Sequence, residues 1–137
     1  MKIKLWSIML LIIAFLGFLD SLYLTYQGPQ FHLFEQLCTN SVCDDFSLKI
    51  FGIHISVYGI IYYMLLILFS LYVMRKTLII VPLFISGIGF LFSLYFLYYQ
   101  AFVIRGFCIF CIFSFICTLT YFLIVMFLYF RTRPKKA

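Results

Sequence analysis

Four cysteines of this chain fall into two close pairs, Cys38 and Cys43 in "CTNSVC" and Cys108 and Cys111 in "RGFCIFC". A fifth, Cys117, stands apart. Paired thiols at such spacings can close into disulfides, exchange with other disulfides, or ligate a soft metal. Cys108 and Cys111 are about 300° apart on a helix of 3.6 residues per turn, hence on nearly one face and within reach of one disulfide at a helix start. The free amide groups of a first helical turn, the positive end of the helix dipole and nearby Arg105 all favour the thiolate there. Cys117 lies about half a turn round from Cys108 and deeper along the same helix, where packing explains it. The loop pair encloses four residues, three of them polar, and can open and reach elsewhere.

The elements that must position these thiols are membrane helices. The chain has 137 residues, 66% hydrophobic and only 10% charged, with a mean hydropathy of +1.18. No polar shell can be built over an apolar core from that composition. The expected fold is an all-α integral membrane protein, a four-transmembrane-helix bundle forming a single domain over residues 1–137. Four runs are long enough to cross about 30 Å of hydrocarbon: 5–26, 51–74, 77–100 and 107–130. The last three contain no Asp, Glu, Lys or Arg. The basic, apolar opening resembles a signal peptide, but no small-x-small site follows and the span continues through "LDSLYLTYQ", so it reads as a retained helix.

Lys2, Lys4, Arg75, Lys76, Arg131, Arg133, Lys135 and Lys136 fall on one side of such a bundle, and only Lys49 and Arg105 on the other. The positive-inside rule then puts both termini in the cytoplasm. The net charge of +6 is a topology signal and gives no reason to expect nucleic acid as a partner. The outer loop over 27–50 carries the first cysteine pair, and the second pair sits at the outer end of the fourth span. Both pairs therefore share one level, on the oxidising face of the membrane.

Three chemistries fit the thiols at this point. Two dithiol pairs, one mobile and one fixed at the membrane edge, can relay electrons from an external protein to an acceptor dissolved in the bilayer. That acceptor must take two electrons and two protons, which points to a quinone. With His32 or His54 the same cysteines can instead bind or transport zinc or copper. Both pairs can also be structural disulfides. Other candidates are Asp20, an acid about 9 Å inside the end of the first span and costly unless partnered or hydrated; His54, able to carry a proton or donate to a quinone oxygen; and Ser47 and Ser56 as donors. The aromatic run "LYFLYYQAF" from Leu94 to Phe102 suits an interfacial belt or the wall of a pocket for a flat ring. Gly87 and Gly89 with Ser86 suit close helix approach.

The motifs "LDSLYLTY", Cys38 with Cys43, "FGIHISVYGIIYY" and "YYQAFVIRGFCIFC" resemble, in that order, the vitamin K epoxide reductase family in its small bacterial form without a fused thioredoxin-like domain. The order separates it from the DsbB family, which does the same job but has its Cys-x-x-Cys in the first outer loop. The resemblance implies a bundle around a quinone pocket, for menaquinone or ubiquinone, in the bacterial inner membrane with the active site on the periplasmic or extracellular side. It implies that Cys38 receives electrons from an exoplasmic thioredoxin-fold oxidase of the DsbA kind, that Cys43 exchanges with Cys108, and that Cys111 faces the quinone. Ser47 matches the serine that follows the second loop cysteine in the family. His54 stands where bacterial relatives usually carry proline. Vertebrate members have an asparagine before the serine matching Ser56, and a tyrosine four residues after the last active cysteine. Here those are Ile55 and Phe115, which favours quinone reduction over epoxide reduction.

Overall fold

The computed structural model describes residues 2–26, 49–50, 53–75, 79–105 and 109–132. Four helices dominate: α1 (Lys2–Tyr26), α2 (Ile55–Arg75), α3 (Ile80–Tyr99) and α4 (Ile109–Thr132). A short antiparallel ladder, β1 (Lys49–Ile50) with β2 (Ile53–His54), leads into α2, pairing Lys49 with His54 and Ile50 with Ile53. The second helix thus starts at Ile55 and not at 51, because Ile53 and His54 place their backbones in the ladder instead of a first helical turn. Three described stretches are long and apolar enough to cross a membrane: Lys4–Tyr26, Ile80–Val103 and Ile109–Thr132. The apolar part of α2, Val57–Tyr72, is shorter.

Side-chain contacts fix the directions of the helices. Gly17 lies against Tyr63 and Ser21 against Gly59, so α1 and α2 are antiparallel. Trp6 meets Phe127 and Tyr23 meets Phe110, each with ring centroids 5.5 Å apart, so α1 and α4 are antiparallel as well. Tyr63 bonds Ser114 and Thr118 while Ser70 bonds Tyr121, so α2 and α4 run parallel. On α3, Phe90 stacks on Phe115 and Phe122 at 6.0 and 5.5 Å. The chain therefore passes alternately up and down, and the residues near its two ends share one end of the bundle.

The sorting of residues is that of a protein in lipid. Leu5, Ile12, Phe84, Leu91 and Phe130 face outward, whereas Ser7, Ser70, Ser86, Gln100 and Thr118 are buried. Lipid is as apolar as a leucine, so nothing drives leucines inward, while small and polar side chains gain by packing and bonding between helices. The Ser70 and Thr118 hydroxyls also lie within hydrogen-bond distance of the carbonyls of Leu66 and Ser114, at 2.8 and 3.0 Å.

Two irregularities shape α3. Pro82 sits in its first turn, where a missing amide hydrogen leaves no helical bond unmade. At the other end the helix loosens into a π turn, Gln100–Ile104, closed by the Arg105 N–H donating to the Gln100 carbonyl. Arg105 takes φ 54°, the left-handed region, at a cost of about 1–2 kcal/mol for a side chain other than glycine.

Packing is uneven along the bundle. Leu10, Ala14, Leu66, Tyr121, Val125 and Leu128 form a tight core toward the end that holds the chain's extremities. Toward the other end the four helices part around a cavity.

Candidate functional site

The cavity measures about 340 Å³ and all four helices line it. Helix α1 contributes Asp20, Ser21 and Leu24, and α2 contributes Tyr58, Gly59, Tyr62 and Tyr63. From α3 and its π turn come Ile85, Ile88, Gly89, Phe92, Ser93, Phe96, Leu97 and Gln100, and from α4 Cys111, Ser114, Phe115 and Thr118. The walls are mostly apolar and aromatic, with a few convergent polar groups, the make-up of a site for a flat, weakly polar molecule.

Cys111 is half-buried and opens into this space. One turn further along α4, Ser114 is held by Tyr63, whose hydroxyl lies 2.6 Å from Ser114 Oγ, 3.0 Å from the Ser114 carbonyl and 3.1 Å from Thr118 Oγ1. Below that, Tyr121 Oη lies 2.9 Å from Ser70 Oγ and donates to the Leu66 carbonyl at 3.3 Å. These two tyrosines tie α2 to α4 along the axis that carries the thiol. Tyr63 fits because Gly17 of α1 leaves room for its ring: a Cβ there would overlap the phenyl carbons. Gly89 does the same for the Tyr62 phenol, the close approach expected of the glycines in α3.

Heights along the bundle follow from the ring contacts. Tyr23 meets Phe110, which places Asp20 near the level of Cys111, about one turn below Tyr23. Phe90 lies between Phe115 and Phe122. Ten residues up α3 and seven up α4 are about 15 Å and 10 Å, so Gln100 and Cys111 end within about one turn of the same height.

Gln100 is fully buried, and neither Nε2 nor Oε1 has a hydrogen-bond partner among the described residues. The buried Tyr62 hydroxyl also lacks one. Each such group costs about 1–3 kcal/mol unless something in the cavity satisfies it. A ring oxygen presented by a flat molecule held in apolar and aromatic walls meets that demand at Gln100. These residues therefore fit a quinone.

The residues singled out from the sequence fall as follows. Cys111, Asp20 and Phe115 share the cavity wall, and one carboxylate oxygen of Asp20 is buried. Cys117 is buried, and it is a free cysteine. His54 ends β2 and Ser56 stands in the first turn of α2; their side chains are not described. Cys38, Cys43, Ser47 and Cys108 lie outside the described residues, so the pairing of the cysteines does too. Among the described residues no three His, Cys, Asp or Glu side chains come together.

The aromatic run divides by face. Phe96 and Leu97 line the cavity, while Tyr95, Tyr98 and Phe102 face outward. Gln100, Tyr62, Tyr63, Ser114 and Thr118 were not candidates from the sequence. Gln100 alone carried a signal: an amide at the end of a span, pointing away from the flanking aromatics once a helical wheel is drawn.

No curated protein and no solved structure matches this chain. The sequence model of the Vitamin K epoxide reductase family matches it over residues 8–126.

Proposed function

The chain belongs to the vitamin K epoxide reductase family, and from that premise, an oxidoreductase with apolar membrane helices, we propose that it is a membrane thiol:quinone oxidoreductase. It reoxidises an exoplasmic thioredoxin-fold oxidase of the DsbA kind and so sustains disulfide formation in exported proteins. The observation that carries this reading is Cys111 opening into an apolar cavity that also holds the Gln100 amide, unpartnered among the described residues.

Electrons enter through the loop. A thiolate of the partner attacks Cys38 in the Cys38–Cys43 disulfide and releases Cys43. Cys43 attacks Cys108 in the Cys108–Cys111 disulfide and releases the Cys111 thiolate. The partner's second thiol then frees Cys38, and Cys38 attacks Cys43 to restore the loop disulfide. Cys108 and Cys111 are left as a dithiol, and no electron has left sulfur. A quinone in the cavity, menaquinone or ubiquinone, would supply the two-electron, two-proton acceptor for that dithiol, whose oxidation re-forms the Cys108–Cys111 disulfide. Asp20, at about the height of Cys111, passes protons between the site and water. Phe92, Phe96 and Phe115 exclude water and flank the ring. The Tyr63 bonds to Ser114 hold the α4 turn below Cys111 in place.

The same reading makes α2 a fourth crossing, since its 21 residues span about 31 Å. The charge asymmetry then puts both termini in the cytoplasm of a bacterial cell and the cysteines on the periplasmic or extracellular face. The test is quinone-dependent oxidation of a reduced thioredoxin-fold partner by the purified protein. Rates that persist in excess chelator support the reading. Rates that fall in proportion to metal removal favour the rival, a metal-binding or metal-transporting protein using the same cysteines.

A further inference from the structure

We infer that the Gln100 side-chain amide is the group that reads a ring oxygen of the quinone, so that headgroup selection in this chain resides in the π turn of α3. The inference rests on the proposed quinone chemistry and deepens it.

Four observations converge on Gln100. It is fully buried and lines the cavity beside Cys111's level. Neither atom of its amide has a partner among the described residues. It begins the π turn, and its backbone carbonyl closes that turn by accepting the Arg105 N–H. Such turns inside helices recur at functional sites. Its neighbours Phe102 and Val103 face outward, so the turn sends its one polar side chain inward. Escape from lipid alone does not account for this, because an amide hidden from lipid still needs a partner, and the described residues offer none there.

The chemistry of the amide defines what completes it. Nε2–H donates to a carbonyl oxygen, as in the quinone, and Oε1 accepts from a hydroxyl, as in the hydroquinone. One residue thereby holds the ring before and after two-electron reduction. The Tyr62 hydroxyl, lodged against Gly89, lies about 16 Å further along the axis of α3. It is therefore not a second hand on the same oxygen.

The experiment measures binding apart from turnover. In a Cys111→Ala parent, which cannot complete the chemistry, dissociation constants are determined for a short-chain menaquinone, a short-chain ubiquinone and a prenylated naphthalene lacking both ring oxygens. Gln100→Leu is then added, with Gln100→Met as the second variant should the first fail to fold. The expected result is a roughly three- to tenfold weaker affinity for the quinones, the loss of one hydrogen bond, with the oxygen-free ring unchanged. Equal weakening for all three ligands, or none, overturns the assignment, as does restoration of the amide's role by water alone, seen as quinone affinity independent of residue 100. Cys111-dependent turnover in the wild type with unchanged quinone affinity in the Gln100 variants would sink this inference and leave the proposed function standing. No quinone binding to the parent, and no turnover in the wild type, would remove both.

Discussion

Tyr63 on α2 places its hydroxyl 2.6 Å from Ser114 Oγ on α4, one turn from Cys111. A single phenol thereby joins two helices that do not follow one another in the chain. Replacing it with Tyr63→Phe removes this bond and those to the Ser114 carbonyl and Thr118. The expected loss is about 1 kcal/mol, near the values measured for bonds between membrane helices. Unfolding in detergent and denaturant checks it. Turnover should fall with stability, and an unchanged midpoint would show that the three bonds contribute nothing.

Glycine positions separate two kinds of contact. A Cβ at Gly17 runs into the Tyr63 ring, whereas one at Gly87 meets only Phe122, at 3.5 Å. Gly17→Ala should destabilise by about 1–3 kcal/mol, the usual range for overpacking, and Gly87→Ala by less than about 0.5 kcal/mol. Thermal unfolding of the two variants side by side makes the comparison, and equal effects would contradict the packing described here.

How much of this was legible in the sequence depends on what each feature needs. The cysteine pairs and the membrane spans are written in spacing and composition, and Phe115 and Asp20 could be flagged by type and position. The cavity was not visible, because its wall depends on which face of each helix turns inward, and in helices apolar all round the pattern gives almost no phase. Tyr62 and Tyr63 were lost for that reason inside "GIIYYMLL". Gln100 reads as an interfacial residue until α3 is seen to end in a π turn. The late start of α2 depends on pairing between Ile53–His54 and Lys49–Ile50, a contact no helical period announces.

Trapping the exchange tests the order of the relay. With Cys38 or Cys111 removed, the disulfide between Cys43 and Cys108 loses one of the two neighbouring thiols that can resolve it and should accumulate. Peptide mapping under thiol-blocking conditions detects it. In the variant lacking Cys111, a persistent Cys38–Cys108 linkage in place of it would reverse the assigned roles of the loop cysteines.

Cys117 gives the matching negative prediction. It is 7% exposed and set deeper than Cys111 on α4, about 9 Å along the axis. Cys117→Ala should cost about 1 kcal/mol of stability and leave quinone-dependent turnover within twofold of the wild type. A loss as complete as that from any of the paired cysteines would bring Cys117 into the chemistry.

The central claim is that thiol electrons leave the protein through Cys111 into a quinone held in the cavity. The most direct measurement is quinone reduction by the purified protein in detergent, with a reduced thioredoxin-fold partner as donor, comparing wild type with Cys111→Ala. Turnover in the wild type that vanishes in the variant is the predicted result. No turnover with any quinone, alongside stoichiometric bound metal, would contradict it and make the cysteines ligands.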